Sequence, residues 1–119
     1  MARTSRPVAT IYHNPRCSTS RKTLQLLRDN GIEPTVIHYL KTPPSRAELV
    51  AMIRDAGIEV RAAVRSREAL YTELNLAEKS DDDLLDAIAE HPILLERPFV
   101  VTPKGTRLAR PIDAVREIL

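Results

Sequence analysis

A chain of 119 residues, 43% of them hydrophobic, can fill one core without disulfides or a structural metal. Its formal charge of +2 is close to balance and no basic run is interleaved with aromatics, which argues against nucleic acid as a partner. With one cysteine and three scattered histidines, His13, His38 and His91, the chain has no sequence-local metal cluster, and no metal is expected.

Met1–Pro7 reads as a loose N-terminal tail, leaving 8–119 as one domain. The apolar run Val8–Tyr12 is too short for a signal-peptide core or a membrane span, so the protein is expected in the cytoplasm, with no membrane partner. There a lone thiol stays reduced. The same run is apolar and β-rich, and reads as a buried first strand. His13-Asn-Pro-Arg-Cys17 is a turn, and Ser18–Asn30 a helix with Leu24 and Leu27 on one side, Leu26 on the flank, and Gly31 as its stop. Thr35–Tyr39 is the second strand, parallel to the first across a βαβ crossover.

Thr42-Pro-Pro-Ser45 breaks the chain. Ser45-Arg-Ala-Glu48 is a capping box opening a helix that Gly57 ends. Glu59–Arg65 and Ser66–Leu74 read as short helices. Ser80-Asp-Asp-Asp83 starts another, its carboxylates at the positive end of the dipole, running to His91. Arg97–Thr102 is the third strand, Pro103–Gly105 a turn and Thr106–Ala109 the fourth strand. Pro111 suits the first turn of a last helix to Leu119. The order βαβ, helices, ββα describes an α/β, thioredoxin-like fold: a four-stranded mixed sheet with a helical insertion, about residues 45–92, between strands 2 and 3.

Cys17 stands where a strand gives way to a helix. Free N–H groups and the partial positive charge of a helix start favour a thiolate, and Arg16 and Arg21 add charge nearby. Lowering a thiol pKa from ~8.5 to ~6 raises the thiolate fraction at pH 7 from ~3% to ~90%, a shift of roughly 3.4 kcal/mol. A lone cysteine is more often buried and inert. Here Asn-Pro before it and Ser-Thr-Ser after it form a polar turn unlike a core position. Such a helix start also binds anions. The phosphatase pattern of Cys, five spacers and Arg does not fit, since Arg21 follows after three, and Ser20 occupies the second position of a Cys-x-x-Cys motif. Any redox cycle therefore needs an outside thiol. Fourteen Arg against four Lys provide forked donors for an oxyanion, although by composition alone a codon bias accounts for the excess.

His13-Asn-Pro-x-Cys17-x-Thr19-Ser20-Arg21 resembles the signature of the glutaredoxin-dependent arsenate reductases. The likeness continues through His38-Tyr39-Leu40-Lys41-Thr42-Pro43-Pro44, Val60-Arg61-Ala62-x-x-Arg65, and His91-Pro92-Ile93-Leu94-x-x-Arg97-Pro98. It ends with Val101-Thr102-Pro103-x-Gly105-Thr106-Arg107-Leu108-x-Arg110-Pro111. Ser18 departs from the Gly of characterised members. The resemblance implies that Cys17 attacks arsenate, that His13 helps keep the thiol ionised, and that Arg65, Arg97 and Arg110 gather the oxyanion. Ser20, Arg21 and Pro98 would support them, Arg97-Pro98 being similar to the cis-proline turn of thioredoxin-like sites. Each arginine alone would read as a solvated surface charge. The resemblance further implies no bound cofactor, glutathione as co-substrate and glutaredoxin as partner. Two rivals remain: a monothiol glutaredoxin-like oxidoreductase, built on Cys17-Ser-Thr-Ser20, and a redox-responsive regulatory binding module. The arginine set argues against the first and the missing Cys-x-x-Cys against the second.

Overall fold

The computed structural model describes residues 9–119; the expected tail and Val8 lie outside them. Four short strands form one mixed sheet in the order β2-β1-β3-β4: β1 (Thr10–His13), β2 (Thr35–His38), β3 (Phe99–Thr102) and β4 (Gly105–Leu108). β1 pairs parallel with β2 and antiparallel with β3, and β3 pairs antiparallel with β4. The helices are α1 (Ser18–Asp29), α2 (Arg46–Ala56), α3 (Ala69–Glu73) and α4 (Asp81–Glu90). The fold is thioredoxin-like, with α2 to α4 inserted between β2 and β3.

Strand alternation divides the core in two. Ile11 lies opposite Val100, and both join Leu27 of α1 with Ala109, Val115 and Ile118. Tyr12 lies opposite Phe99 on the other face, where Leu49, Ile53, Leu84, Ile88, Leu94 and Leu95 gather. Fully burying one such aliphatic side chain stabilises by about 1.5–3 kcal/mol, so Leu27, 0% exposed, anchors the helix that Cys17 opens. At α2 the capping box is closed at both ends: Glu48 N–H donates to Ser45 Oγ at 3.1 Å, and Ser45 N–H to Glu48 Oε1 at 2.8 Å.

Several boundaries move from their expected positions. His13 completes β1 opposite His38 rather than opening the turn. The helix expected over Glu59–Arg65 shrinks to a 3-10 turn, Val60–Ala63, because Val64 leaves it to bridge Leu95. β3 begins at Phe99, since Pro98 has no N–H to offer, and the Arg97–Pro98 peptide is cis. The terminal helix is 3-10, Ile112–Ile118, with Pro111 extended ahead of it. Two further 3-10 turns, Leu76–Glu78 and Pro92–Leu94, had no signal strong enough to read.

Two substitutions test these attachments. Ser45→Ala loses one acceptor at a helix start and costs about 1 kcal/mol. Leu27→Ala opens a cavity beneath α1 and costs about 3 kcal/mol. Urea midpoints at constant m-value are expected to rank wild type, Ser45→Ala, then Leu27→Ala.

Candidate active site

The turn between β1 and α1 is built from its own polar groups. Arg16 N–H donates to Asn14 Oδ1 at 2.9 Å, and Cys17 N–H to the Asn14 carbonyl at 3.0 Å. Ser20, on the first turn of α1 and 0% exposed, reaches back: its Oγ accepts from Asn14 N–H at 3.1 Å and lies 2.6 Å from His13 Nδ1. Arg21 Nη1 donates to the Pro15 carbonyl at 2.8 Å. These bonds bind the loop to the helix and fix the residue between them.

That residue is Cys17, the N-cap of α1, partly exposed. It closes no side-chain cap, which leaves its sulfur available. Partial burial pushes the thiol pKa up. The Ser20 N–H, the hydrogen bond and charge of Arg97, and the Thr19 N–H outweigh this and hold the pKa below the ordinary thiol range. Arg110 Nη2 lies 3.8 Å from Cys17 Sγ, while its Nε donates to the Arg97 carbonyl at 2.9 Å. The charge beside the sulfur thus comes from Arg97 and Arg110, about eighty and ninety residues away in sequence, rather than from exposed Arg16 and Arg21.

Backbone pairing brings the third arginine in. Val64 bridges Leu95, Arg65 N–H donates to the Leu94 carbonyl at 2.7 Å, and Glu96 N–H to the Ala63 carbonyl at 2.8 Å. Arg65 is thereby fastened to the segment that carries Arg97. Its Nε pairs with Glu68 Oε2 at 3.2 Å and its Nη1 lies 3.5 Å from Glu96 Oε1. None of the three is a solvated surface charge. Arg97 is 8% exposed, and the Arg65 and Arg110 side chains 18% and 26%. Among the described residues, Arg97 Nε and Nη1 and Arg65 Nη1 are buried with no hydrogen-bond partner. Buried donors left unpaired are costly, and an oxyanion is the species that several forked cations would accept.

His13 is 5% exposed and touches Ser20, not Cys17. Burial, then His38, Arg28 and Arg21, push its pKa below the usual imidazole range and favour the neutral ring. Its ring is hydrogen-bonded to Ser20, whose own N–H faces the Cys17 sulfur. Pro98 is buried behind the site, its carbonyl accepting from Ala109 N–H at 2.9 Å and so holding the approach to Arg110. Ser18 is exposed, and among the described residues its side chain forms no hydrogen bond with these groups. Sequence reasoning missed Glu96, which neighbours Arg97 in the motif, and Tyr39, whose buried hydroxyl has no hydrogen-bond partner among the described residues. Among those residues no cluster of three or more potential ligands could hold a metal, and no helix is long and apolar enough to cross a membrane.

A thioredoxin-like fold with one activated thiol among sheltered arginines defines a single-cysteine thiol oxidoreductase. The ArsC family model matches residues 12–118, and the chain belongs to that family. It is 60% identical over 112 residues to an arsenate reductase of Rhizobium meliloti (strain 1021), covering 92% of this chain and 80% of that protein. An arsenate reductase of Escherichia coli (strain K12) is 59% identical over 112 residues, covering 92% of this chain and 79% of that one. The solved structure of an arsenate reductase from Vibrio cholerae superposes with a TM-score of 0.89 at 52% identity, covering 94% of this chain and 98% of that one.

The thiol is testable directly. Alkylation of Cys17 by neutral iodoacetamide, followed against pH, is expected to show a midpoint below that of a free cysteine. Arg97→Gln removes a cation that favours the thiolate, so the midpoint moves up. An unchanged midpoint in Arg97→Gln would show that the arginine contributes no charge to the thiol.

Proposed function

We propose that residues 8–119 work as one catalytic unit that reduces arsenate to arsenite, with glutathione as co-substrate and glutaredoxin as partner, in the cytoplasm. One observation carries the reading: the reactive sulfur and the unpaired, buried donors of Arg97 share one corner, with Arg110 bridging them. Thiol chemistry and oxyanion binding are thus combined in a single site. A plain monothiol oxidoreductase has no use for such donors.

In the proposed cycle Arg65, Arg97, Arg110 and the N–H groups of the helix start hold the arsenate oxygens. Cys17 thiolate attacks arsenic and one oxygen leaves as water once protonated, giving a sulfur–arsenic(V) adduct. Glutathione thiolate then attacks the Cys17 sulfur. The sulfur–arsenic bonding pair passes to arsenic, which leaves as arsenite, and a Cys17–glutathione disulfide remains. A glutaredoxin thiol takes up the glutathione and releases Cys17 thiolate. A groove beside the turn, edged by Arg16 and Lys41 with Leu40 as an apolar wall, offers cations to a carboxylate-bearing thiol.

Two experiments check this. Arsenate reduction is expected with glutathione plus glutaredoxin and not with thioredoxin alone; equal rates with thioredoxin alone would sink the cycle. Replacing Arg65, Arg97 or Arg110 by Lys keeps a charge but loses the planar fork. The loss is worth roughly 1.5–3 kcal/mol, so kcat/KM for arsenate falls about 10- to 150-fold. Arg54→Lys and Arg116→Lys alter exposed pairs with Asp55 and Asp113 and change little. Circular dichroism checks folding throughout, above all for buried Arg97.

A further inference from the structure

Glu96 alone, among the described residues, forms ion pairs with two of the three site arginines. The same oxygen, Oε1, lies 3.4 Å from Arg110 Nε and 3.5 Å from Arg65 Nη1. It is shut off from solvent and accepts no hydrogen bond, so it acts on both as a charge between them. The backbone beneath it is fixed on both sides: Glu96 N–H is held by Ala63, Leu95 pairs with Val64, and β3 begins three residues later. The base of this side chain is therefore fixed in place beside both arginines.

The arginines it touches need such a brace. Both have long flexible stems, and two guanidinium groups in a sheltered corner repel each other. Arg110 is tied at Nε to the Arg97 carbonyl, and Arg65 at Nε to Glu68; neither bond draws the two toward each other. Only Glu96 does so. We infer that Glu96 is a positioning residue: its charge holds Arg65 and Arg110 side by side, so that their remaining N–H groups meet the oxyanion that Arg97 also receives. The inference rests on the proposed arsenate reading of this site. It runs against the simpler expectation that a carboxylate among oxyanion-binding arginines repels the substrate and weakens its binding.

Protection of Cys17 from iodoacetamide by arsenate measures oxyanion binding without turnover. Glu96→Gln keeps the shape and loses the charge, and is expected to raise the arsenate concentration for half-protection about tenfold. Glu96→Asp keeps the charge on a shorter stem and is expected to raise it only a few-fold. Glu33→Gln, which loses the same charge at an exposed pair with Arg28, leaves it unchanged. A merely space-filling role predicts the reverse order, with Gln milder than Asp, and would overturn the inference. So would equal or tighter protection in Glu96→Gln, because the carboxylate would then be competing with arsenate. If Glu96→Gln does not fold by circular dichroism, Glu96→Asp decides: a rise of tenfold or more there, with the charge kept, overturns the inference. Failure of arsenate to protect even the wild type overturns the arsenate reading and this inference together, whereas loss confined to the variant comparison leaves that reading standing.

Discussion

Like charges in a confined space set the terms for everything else in this protein. Two guanidinium groups about 6 Å apart at an effective dielectric of about 20 repel by roughly 3 kcal/mol. Three such groups stay together only where negative charge and rigid backbone hold them. The negative charge is that of the Glu96 and Glu68 carboxylates, joined by Cys17 when its thiol, whose pKa is held below the ordinary range, ionises. Thiol and arginines are therefore coupled: the cations favour the thiolate, and a thiolate offsets the repulsion among the cations. An incoming oxyanion adds to the same balance.

The fold supplies the rigidity by converging three chain segments on one end of the sheet. β1 delivers the Cys17 turn, while Arg97 stands just before β3 and Arg110 just after β4, so the β3–β4 hairpin sets two of the three arginines beside the thiol. Arg65 comes from the helical insertion, and its backbone is held by its own N–H bond to the Leu94 carbonyl and by the neighbouring bond from Glu96 N–H to the Ala63 carbonyl. The insertion is thus more than a cover for one sheet face: it adds the site's third cation.

The Cys17 turn could be read from sequence because its chemistry is local. Asn, Pro and Ser at fixed offsets around the cysteine define a turn and a helix start whichever fold surrounds them. The sheet was legible for a similar reason, as β-rich runs are bounded by proline and glycine. The arginines were not legible from local pattern, and only the family resemblance singled out Arg65, Arg97 and Arg110 among fourteen. Local reasoning instead favoured Arg16 and Arg21, which neighbour Cys17 in the chain but are exposed. Glu96 escaped because a glutamate beside an arginine reads as an ordinary surface pair until Ala63 and Val64 are seen to pin its backbone. The 3-10 turns escaped because pieces of three or four residues show no periodicity.

Ser20 has a consequence of its own. It stands where dithiol relatives of this fold place their second sulfur, yet its hydroxyl is wholly committed to His13 and to the Asn14 amide. The position is occupied by architecture and is closed to redox work. Once oxidised to a disulfide, Cys17 has no second thiol in the chain to release it, and an outside thiol must restore it. Under the proposed cycle, throughput is then metered by the supply of that outside thiol, and without it each molecule is spent after a single event.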